Sequence, residues 1–194
     1  MNPGAVDLKA CSDGELAALT LGGRKDAFAE IMQRHQAPVY RLIRGLVGNV
    51  EEALDLTQDS FLSAYDHLGK FDGQRPLRAW LSRIAINKSR DWRRRRRVRQ
   101  IFGLVDDAEE ETHDVPDEAP SPEATVSSRI SLRRLTAAIE GLPAPLREVL
   151  LLRTVEGLSQ ADTAAILSIS SKAVETRLYR ARNRLAEIMA EDEG

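Results

Sequence analysis

The chain has 194 residues, of which 42% are apolar, 30% are charged and 5% are aromatic. This length suits one or two small domains, and the abundance of Leu, Ala, Arg and Glu favours helices. The single cysteine, Cys11, excludes an internal disulfide and a multi-cysteine zinc site, as is usual for the reducing cytoplasm. Residues 1–10 lack the apolar run of a signal peptide, and no stretch approaches the roughly 18 apolar residues of a membrane span. We therefore expect a cytoplasmic protein without membrane insertion.

Charge is distributed unevenly along the chain, although the formal net charge is only −2. The segment between Gln100 and Ser128 contains nine Asp or Glu residues and no Lys or Arg. The remainder has 28 basic and 21 acidic residues, which is a net charge of +7. The acidic segment also contains three prolines and too little apolar surface to order itself, so we predict a flexible linker over residues 100–126. Basic folded parts are typical of proteins that bind nucleic acid.

The residues before the linker are predicted to form helices. Ser12 and Glu15 match an S-x-x-E capping box, which starts a short helix that ends at Gly22–Gly23. Asp26 is predicted to cap the second helix, and Pro38 is predicted to kink or restart it.

A break at Gly48–Asn49 precedes a third helix, predicted over residues 50–68. Its apolar side is predicted to contain Leu54, Phe61, Tyr65 and Leu68. A second line of the helix contains Asp55, Asp59 and Asp66, flanked by Gln58 and Leu62. This mixed acidic surface does not suit DNA but suits a protein partner that presents a basic helix. A solvated acidic face is an equally good interpretation of these residues alone.

Residues 71–75 form a predicted loop, and Pro76 suits the first position of a fourth, long helix. The apolar face of this helix contains Leu77, Leu81, Ile84 and Ala85. A second face carries side chains at i, i+4, i+7, i+11 and i+14, namely Arg83, Asn87, Arg90, Arg94 and Arg97. This stripe indicates a nucleic-acid face, with Asn87 able to contact a base; the alternatives are a solvated face or a membrane-surface patch. Trp80 lies between the faces and is assigned to the core rather than to base stacking.

The residues after the linker are again predicted to be helical. One face of the next helix contains Leu132, Leu135, Ile139 and Leu142. Pro143 then opens a helix that Gly157 is predicted to end.

The last segment of the chain has the spacing of a helix-turn-helix. Ser159 can cap a helix of eight residues, a turn follows at residues 168–170, and Ser170 can cap a long second helix. The first turns of a recognition helix enter the major groove, and here they offer Ser170, Ser171, Lys172, Glu175, Thr176, Arg177, Tyr179 and Arg180. These residue types suit base edges and phosphates. The alternative is an ordinary helical hairpin with a charged outer face.

An ordered set of segments resembles the extracytoplasmic-function (group IV) sigma factors of bacterial RNA polymerase, which belong to the sigma-70 family. The segments comprise residues 55–61; Trp80–Leu81 with Arg83, Ile84, Ala85 and Asn87; Asp91 before the arginine run; Leu142–Pro143 with Leu146–Arg147; and residues 158–182. The resemblance covers nearly the whole chain, and the ordered set is far more specific than any single segment.

The resemblance implies an all-α chain with two small helical domains. The first, called region 2, would occupy residues 10–99, and the second, a four-helix region 4 with the helix-turn-helix, would occupy residues 127–191. Region 2 would bind the clamp helices of the largest subunit of core RNA polymerase through Asp55, Gln58, Asp59, Phe61 and Leu62. It would read and melt the −10 element, with a flipped base captured by the loop, through Phe71, Gln74, Arg75, Arg78, Trp80, Arg83, Asn87, Arg90 and Arg94. Region 4 would read duplex −35 DNA through the eight recognition-helix residues.

Further expectations concern partners and chemistry. The family is often restrained by an anti-sigma factor, so we expect such a partner here. The acidic linker would thread towards the polymerase active centre and the RNA exit path, where its carboxylates would mimic nucleic-acid charge. The chain departs from the family pattern at Ser168, where the turn usually has Gly, and at Glu175, where Lys is frequent.

Other functions are less consistent with the sequence. A conventional helix-turn-helix regulator would act without polymerase and would need a dimer seam, which the sequence does not offer. An enzyme is not expected, because the three histidines are scattered and no P-loop, metal cluster or nucleophile motif occurs. No cofactor or metal is expected. The two basic faces argue against a pure adaptor.

Overall fold

The computed structural model describes residues 6–102 and 122–191. In these ranges it consists of helices and connecting turns, which confirms the predicted all-α class. The helices are α1 (Asp13–Leu21), α2 (Lys25–Val47), α3 (Val50–Asp66), α4 (Leu77–Ile101), α5 (Pro122–Glu140), α6 (Ala144–Thr154), α7 (Gln160–Leu167) and α8 (Ser171–Glu191), with a short 3-10 helix at Leu68–Lys70. The first four form the N-terminal domain and the last four form the C-terminal domain.

The start of the N-terminal domain follows the predicted capping pattern, with two corrections. The capping box is confirmed, because the Ser12 side chain accepts from the Glu15 N–H and the Glu15 side chain accepts from the Ser12 N–H. Asp26 does not cap α2, since the helix begins at Lys25 and Asp26 instead pairs with Arg24 at 2.6 Å. Pro38 neither ends nor restarts α2, which is continuous through it. The buried apolar face of this long helix outweighs the hydrogen bond that proline removes.

The predicted break between α2 and α3 is confirmed. Gly48 adopts a left-handed conformation with φ of +80° at the end of α2, and the Asn49 side chain accepts from the Glu52 N–H at the start of α3. The prediction about the apolar side of α3 was partly wrong. Phe61 is buried, whereas Leu54 and Tyr65 are exposed. The buried face of α3 is completed by smaller residues, namely Ala53, Leu56, Thr57, Ser60 and Ala64.

The C-terminal domain packs α6 and α7 against α8. Leu142, Val149, Leu152 and Leu158 are buried in this part of the core, together with Val174 and Ala181 of α8. The predicted apolar face of α5 is only half correct, because Leu132 and Leu135 are exposed while Leu142 is buried. Gly157 lies just beyond α6 with φ of +60°, so it belongs to the turn that follows the helix.

The two domains pack against each other in the structure. Helix α2 contacts α5 and α6, and α4 contacts α7, so one apolar core extends across both domains. Within this interface, a Cβ added to Gly45 would lie 2.9 Å from a methyl group of Leu151. A glycine at this point of α2 lets the Leu151 side chain approach the helix backbone.

The predicted linker needs a correction at its edges. Helix α4 extends to Ile101 and α5 begins at Pro122, so both ends of the predicted 100–126 segment are helical. Residues 103–121, which carry most of the predicted linker, lie outside the described residues. Among the helices that are described, none is long and apolar enough to cross a membrane.

Candidate nucleic-acid and polymerase interfaces

The two helices of the helix-turn-helix, α7 and α8, each begin at a serine cap and bury small apolar residues between them. The Ser159 Oγ accepts from the Asp162 N–H at 3.0 Å and starts α7, and the Ser170 Oγ accepts from the Ala173 N–H at 3.1 Å and starts α8. The Gln160 side chain donates to the carbonyl oxygen of Ser171 at 2.8 Å, which ties the two helices together. These bonds confirm both predicted caps.

Ser168 makes the turn between α7 and α8. It adopts a left-handed conformation with φ of +57° and ψ of +47°. It is the one non-glycine residue with positive φ among those the structure describes. Its N–H donates to the carbonyl oxygen of Ala164, which closes the end of α7. The turn therefore has the geometry for which glycine is the usual residue, despite the substitution.

The first two turns of α8 present a polar surface to solvent. Seven of the eight predicted recognition residues are exposed, and Arg177 is half-buried. Lys172 Nζ lies 3.0 Å from Glu175 Oε2, so the acid at the reading face is partly neutralised by its neighbour. The exposed group comprises Ser170, Ser171, Lys172, Glu175, Thr176, Tyr179 and Arg180. This surface has the donors and acceptors that major-groove readout requires.

The loop before α4 and the first turns of α4 form a second candidate site. The rings of Phe71 and Trp80 lie 5.5 Å apart at an angle of 50°. They line a cavity of about 250 Å³ together with Lys70, Asp72, Arg75, Ala79 and Arg83 of the same domain and Asp162, Ala165 and Ile166 of α7. Gln74 is exposed beside this cavity. Trp80 is half-buried and lies at the cavity as well as at the core edge, so it is not simply a core residue.

The basic side chains of α4 are divided between solvent and the C-terminal domain. Arg83, Asn87 and Arg94 are exposed. Arg78 and Arg90 are half-buried and bind acids of α6 and the turn after it: Arg78 Nε lies 2.9 Å from Glu156 Oε2, and Arg90 Nη2 lies 2.6 Å from Glu148 Oε2. The hydrogen bond to Glu148 raises the pKa of the Arg90 guanidinium, which remains charged at any physiological pH.

Sequence reasoning did not identify the acids that bind these arginines of α4. Glu148 is 3% exposed and Glu156 is 1% exposed. Arg93 also donates to Glu148, at 2.6 Å. Arg147 is packed nearby, and its burial, with repulsion from Arg93, lowers the pKa of its guanidinium. The sequence did contain one signal for these pairs. Glu148 directly precedes four consecutive apolar residues at 149–152, which indicates that its carboxylate is buried. A buried charge requires a partner of opposite charge.

The acidic surface of α3 is exposed, with one correction. Asp55, Gln58, Asp59 and Leu62 face solvent, and Asp59 lies 3.9 Å from Lys88 of α4. Phe61 is only 2% exposed, so it cannot be a surface contact in this structure. It lies in the core beneath the acidic surface because it falls on the side of α3 that packs against α2 and α4.

Comparison with known proteins identifies the family of both domains. The family described as Sigma-70 region 2 matches residues 31–99, and the family described as Sigma-70, region 4 matches residues 132–185. RNA polymerase sigma factor CnrH of Cupriavidus metallidurans is 38% identical over 183 residues, which cover 93% of this chain and 96% of that protein. The ECF RNA polymerase sigma factor SigW of Bacillus subtilis is 33% identical over 84% of this chain and 89% of its own length.

Two solved structures share the fold. The structure of CnrH in complex with the cytosolic domain of CnrY matches with a TM-score of 0.68 at 30% identity, covering 93% of this chain and 98% of that one. The sigma factor RpoE from Bartonella quintana, in complex with the anti-sigma factor NepR, matches with a TM-score of 0.68 at 27% identity, covering 84% of this chain and 96% of that one. The chain belongs to the sigma-70 family, within the extracytoplasmic-function group of RNA polymerase sigma factors. This result favours the sigma-factor interpretation over the conventional regulator.

Proposed function

We propose that the chain binds core RNA polymerase and directs initiation at a specific class of promoter. The single observation that carries this proposal is the exposed reading surface of a helix-turn-helix in a chain that matches both sigma regions. In this proposal the N-terminal domain, which ends with α4 at Ile101, acts as region 2, and the C-terminal domain, which begins with α5 at Pro122, acts as region 4. The protein acts where its polymerase is, in the cytoplasm, and is not itself an enzyme.

Region 4 is proposed to read duplex −35 DNA with the first turns of α8. The small residues of α7 allow it to cross α8 closely, and the caps at Ser159 and Ser170 fix where the two helices begin. Arg177, Arg180 and Lys172 are the candidates for guanine edges and phosphates, and Glu175 can accept from a cytosine amino group.

Region 2 is proposed to bind the −10 element with the 71–75 loop and α4. The cavity beside Phe71 and Trp80 combines two aromatic rings with basic side chains, which is the chemistry that holds an unstacked base and its phosphate. The exposed Arg83, Asn87 and Arg94 extend this surface along α4.

The acidic surface of α3 is proposed to bind a basic helical surface of the polymerase clamp. Asp55, Gln58, Asp59 and Leu62 provide charge and a central apolar contact, with Phe61 supporting them from below. An anti-sigma factor is proposed as a further partner, because the solved relative RpoE is in complex with the anti-sigma factor NepR. The solved relative CnrH is also in a complex, with the cytosolic domain of CnrY.

The polymerase role is tested by reversing one charge on α3. Asp59→Arg is expected to weaken binding to core RNA polymerase at least about tenfold, since like charges facing each other cost several kcal/mol. Asp66→Arg is the matched control, because Asp66 is exposed on the same helix but lies outside the proposed contact set. Equal affinities of Asp59→Arg and the wild type for core polymerase, measured by fluorescence titration, would remove α3 from the interface.

A further inference from the structure

Glu175 is an acid on a surface that is otherwise basic. Residues 171–184 of α8 contain five Lys or Arg residues and one acid, Glu175. Val174 and Ala181 mark the buried side of this helix, and the Glu175 side chain lies on the exposed side. DNA phosphates repel a carboxylate, so an acid at this position weakens binding to duplex DNA unless a base donates a hydrogen bond to it.

Glu175 is held by a lysine one turn earlier on the same side of α8. Lys172 Nζ lies 3.0 Å from Glu175 Oε2, and the two side chains are 81% and 59% exposed. A pair this exposed contributes little to stability, so stability does not account for the acid. The pair instead places an ammonium donor beside a carboxylate acceptor on the surface that α8 would present to the major groove.

The major-groove edge of a G·C base pair offers the complementary groups. Guanine presents O6 and N7, which accept, and cytosine presents the N4 amino group, which donates. The bond that joins guanine O6 to cytosine N4 within the base pair is about 2.9 Å long, close to the 3.0 Å between Lys172 Nζ and Glu175 Oε2. The lysine can therefore donate to the guanine while the carboxylate accepts from the cytosine.

The other three base-pair orientations match less well. A T·A pair, with thymine on the side of the lysine, offers O4 to the ammonium and N6 to the carboxylate. However, adenine N7 is a second acceptor that repels the carboxylate, and thymine has a methyl group and lacks the second acceptor of guanine. The inverted pairs, C·G and A·T, place an acceptor opposite Glu175 and an amino group opposite Lys172. The expected order of preference is G·C, then T·A, then either inverted pair.

From this geometry we propose that Lys172 and Glu175 together determine the identity of one base pair of the −35 element, with Lys172 on guanine and Glu175 on cytosine. The proposal rests on the proposed −35 role of α8 and adds the base pair that two of its residues select. Thr176 cannot replace the lysine as a donor, because its hydroxyl already donates to the carbonyl oxygen of Lys172 at 2.9 Å. An inverted pair at this position is expected to weaken binding about tenfold or more.

The test exchanges the two charges in the full chain, as Lys172→Glu combined with Glu175→Lys. The exchange keeps the net charge and the ion pair, and it moves the acid closer to the N-terminus of α8, where the helix dipole favours it. Each holoenzyme, assembled with core RNA polymerase, is offered a promoter that the wild type uses, with the −35 element randomised, and the bound fragments are sequenced. The wild type is expected to select G·C over C·G at one position by about tenfold or more, and the exchanged protein should select C·G there.

A second variant changes only the carboxylate. Glu175→Gln introduces an amide, which binds adenine N6 and N7 together, so it should raise T·A relative to G·C at the same position. Glu187→Gln is the control, because Glu187 also pairs at 3.0 Å with a basic side chain three residues away, Arg184, and is also 59% exposed, but lies in a later turn of α8. The control should leave every −35 preference unchanged.

The outcomes separate this proposal from the proposed function. A −35 preference that stays the same in the exchanged protein and in Glu175→Gln would overturn the reading by the pair, and so would a uniform change in affinity without a change of preferred base. A wild-type holoenzyme that binds no promoter, or binds without any −35 preference, would overturn the −35 role of α8 and the reading by the pair with it. If the exchanged protein binds no promoter, the preference of Glu175→Gln at that position decides.

Discussion

The turn of the helix-turn-helix contains a backbone conformation that serine adopts at a cost. Ser168 has φ of +57° and ψ of +47°, its side chain is exposed, and its N–H bond to Ala164 would be kept by any residue except proline. Ser168→Gly therefore removes strain without removing a contact. The change isolates the backbone contribution of one residue.

The expected magnitude follows from two opposing contributions. The left-handed region costs a residue with a side chain about 1–2 kcal/mol, and glycine avoids this cost. Glycine also has more conformational freedom in the unfolded chain, which lowers the free energy of unfolding by about 0.4–1 kcal/mol. We therefore expect Ser168→Gly to raise the free energy of unfolding by about 0.5–1 kcal/mol, or roughly 1–4 °C in melting temperature.

Urea and thermal unfolding of the full chain measure this effect. Ser171→Gly is the matched control, because it makes the same change at an exposed serine in the first turn of α8, where the backbone is right-handed. That control should lose stability, because glycine gains freedom in the unfolded chain and relieves no strain in the helix, so the two substitutions should have opposite signs. A loss of stability at both positions would refute the assignment of a left-handed conformation to Ser168.

Two further predictions concern recognition and domain packing. Arg177→Ala should weaken binding of the holoenzyme to its duplex −35 element by about 1–3 kcal/mol if the guanidinium makes a bidentate base contact. Arg184→Ala is the control, because the Arg184 side chain pairs with Glu187. An unchanged affinity of the Arg177→Ala holoenzyme would remove Arg177 from the interface. Gly45→Ala should weaken the packing between the two domains by about 1 kcal/mol, because the new methyl group meets the buried Leu151 side chain at 2.9 Å, and small-angle X-ray scattering should show an expansion of the chain. The second change Leu151→Ala should reverse that expansion, and its failure to do so would contradict the packing argument.

Local signals predicted the helices well. The capping box at Ser12, the glycine end of α2 and the serine caps of α7 and α8 all depend on a few neighbouring residues, and all were found. Pro38 does not restart the helix, because its effect depends on how strongly the rest of α2 is held by packing. Periodicity also failed for α3, where packing against α2 and α4 through small residues decides which side is buried.

The candidate surfaces could be predicted only where a single helix carries them. The reading face of α8 and the acidic face of α3 follow from spacing along one element, and most of their residues are exposed. The pairing of Arg78 with Glu156 and of Arg90 with Glu148 joins residues 78 and 58 positions apart. No local pattern specifies how the two domains pack against each other. The contacts between α4 and the C-terminal domain could therefore only be found in the structure.

The central claim is that this chain confers promoter specificity on core RNA polymerase. Run-off transcription with core polymerase and the purified protein, followed by mapping of start sites across the genome, tests it most directly. The account predicts transcripts from a limited set of promoters that share −35 and −10 elements, and predicts that Asp59→Arg strongly reduces them. Transcripts that are the same with and without the protein, or duplex binding that needs no polymerase and gives no initiation, would contradict it.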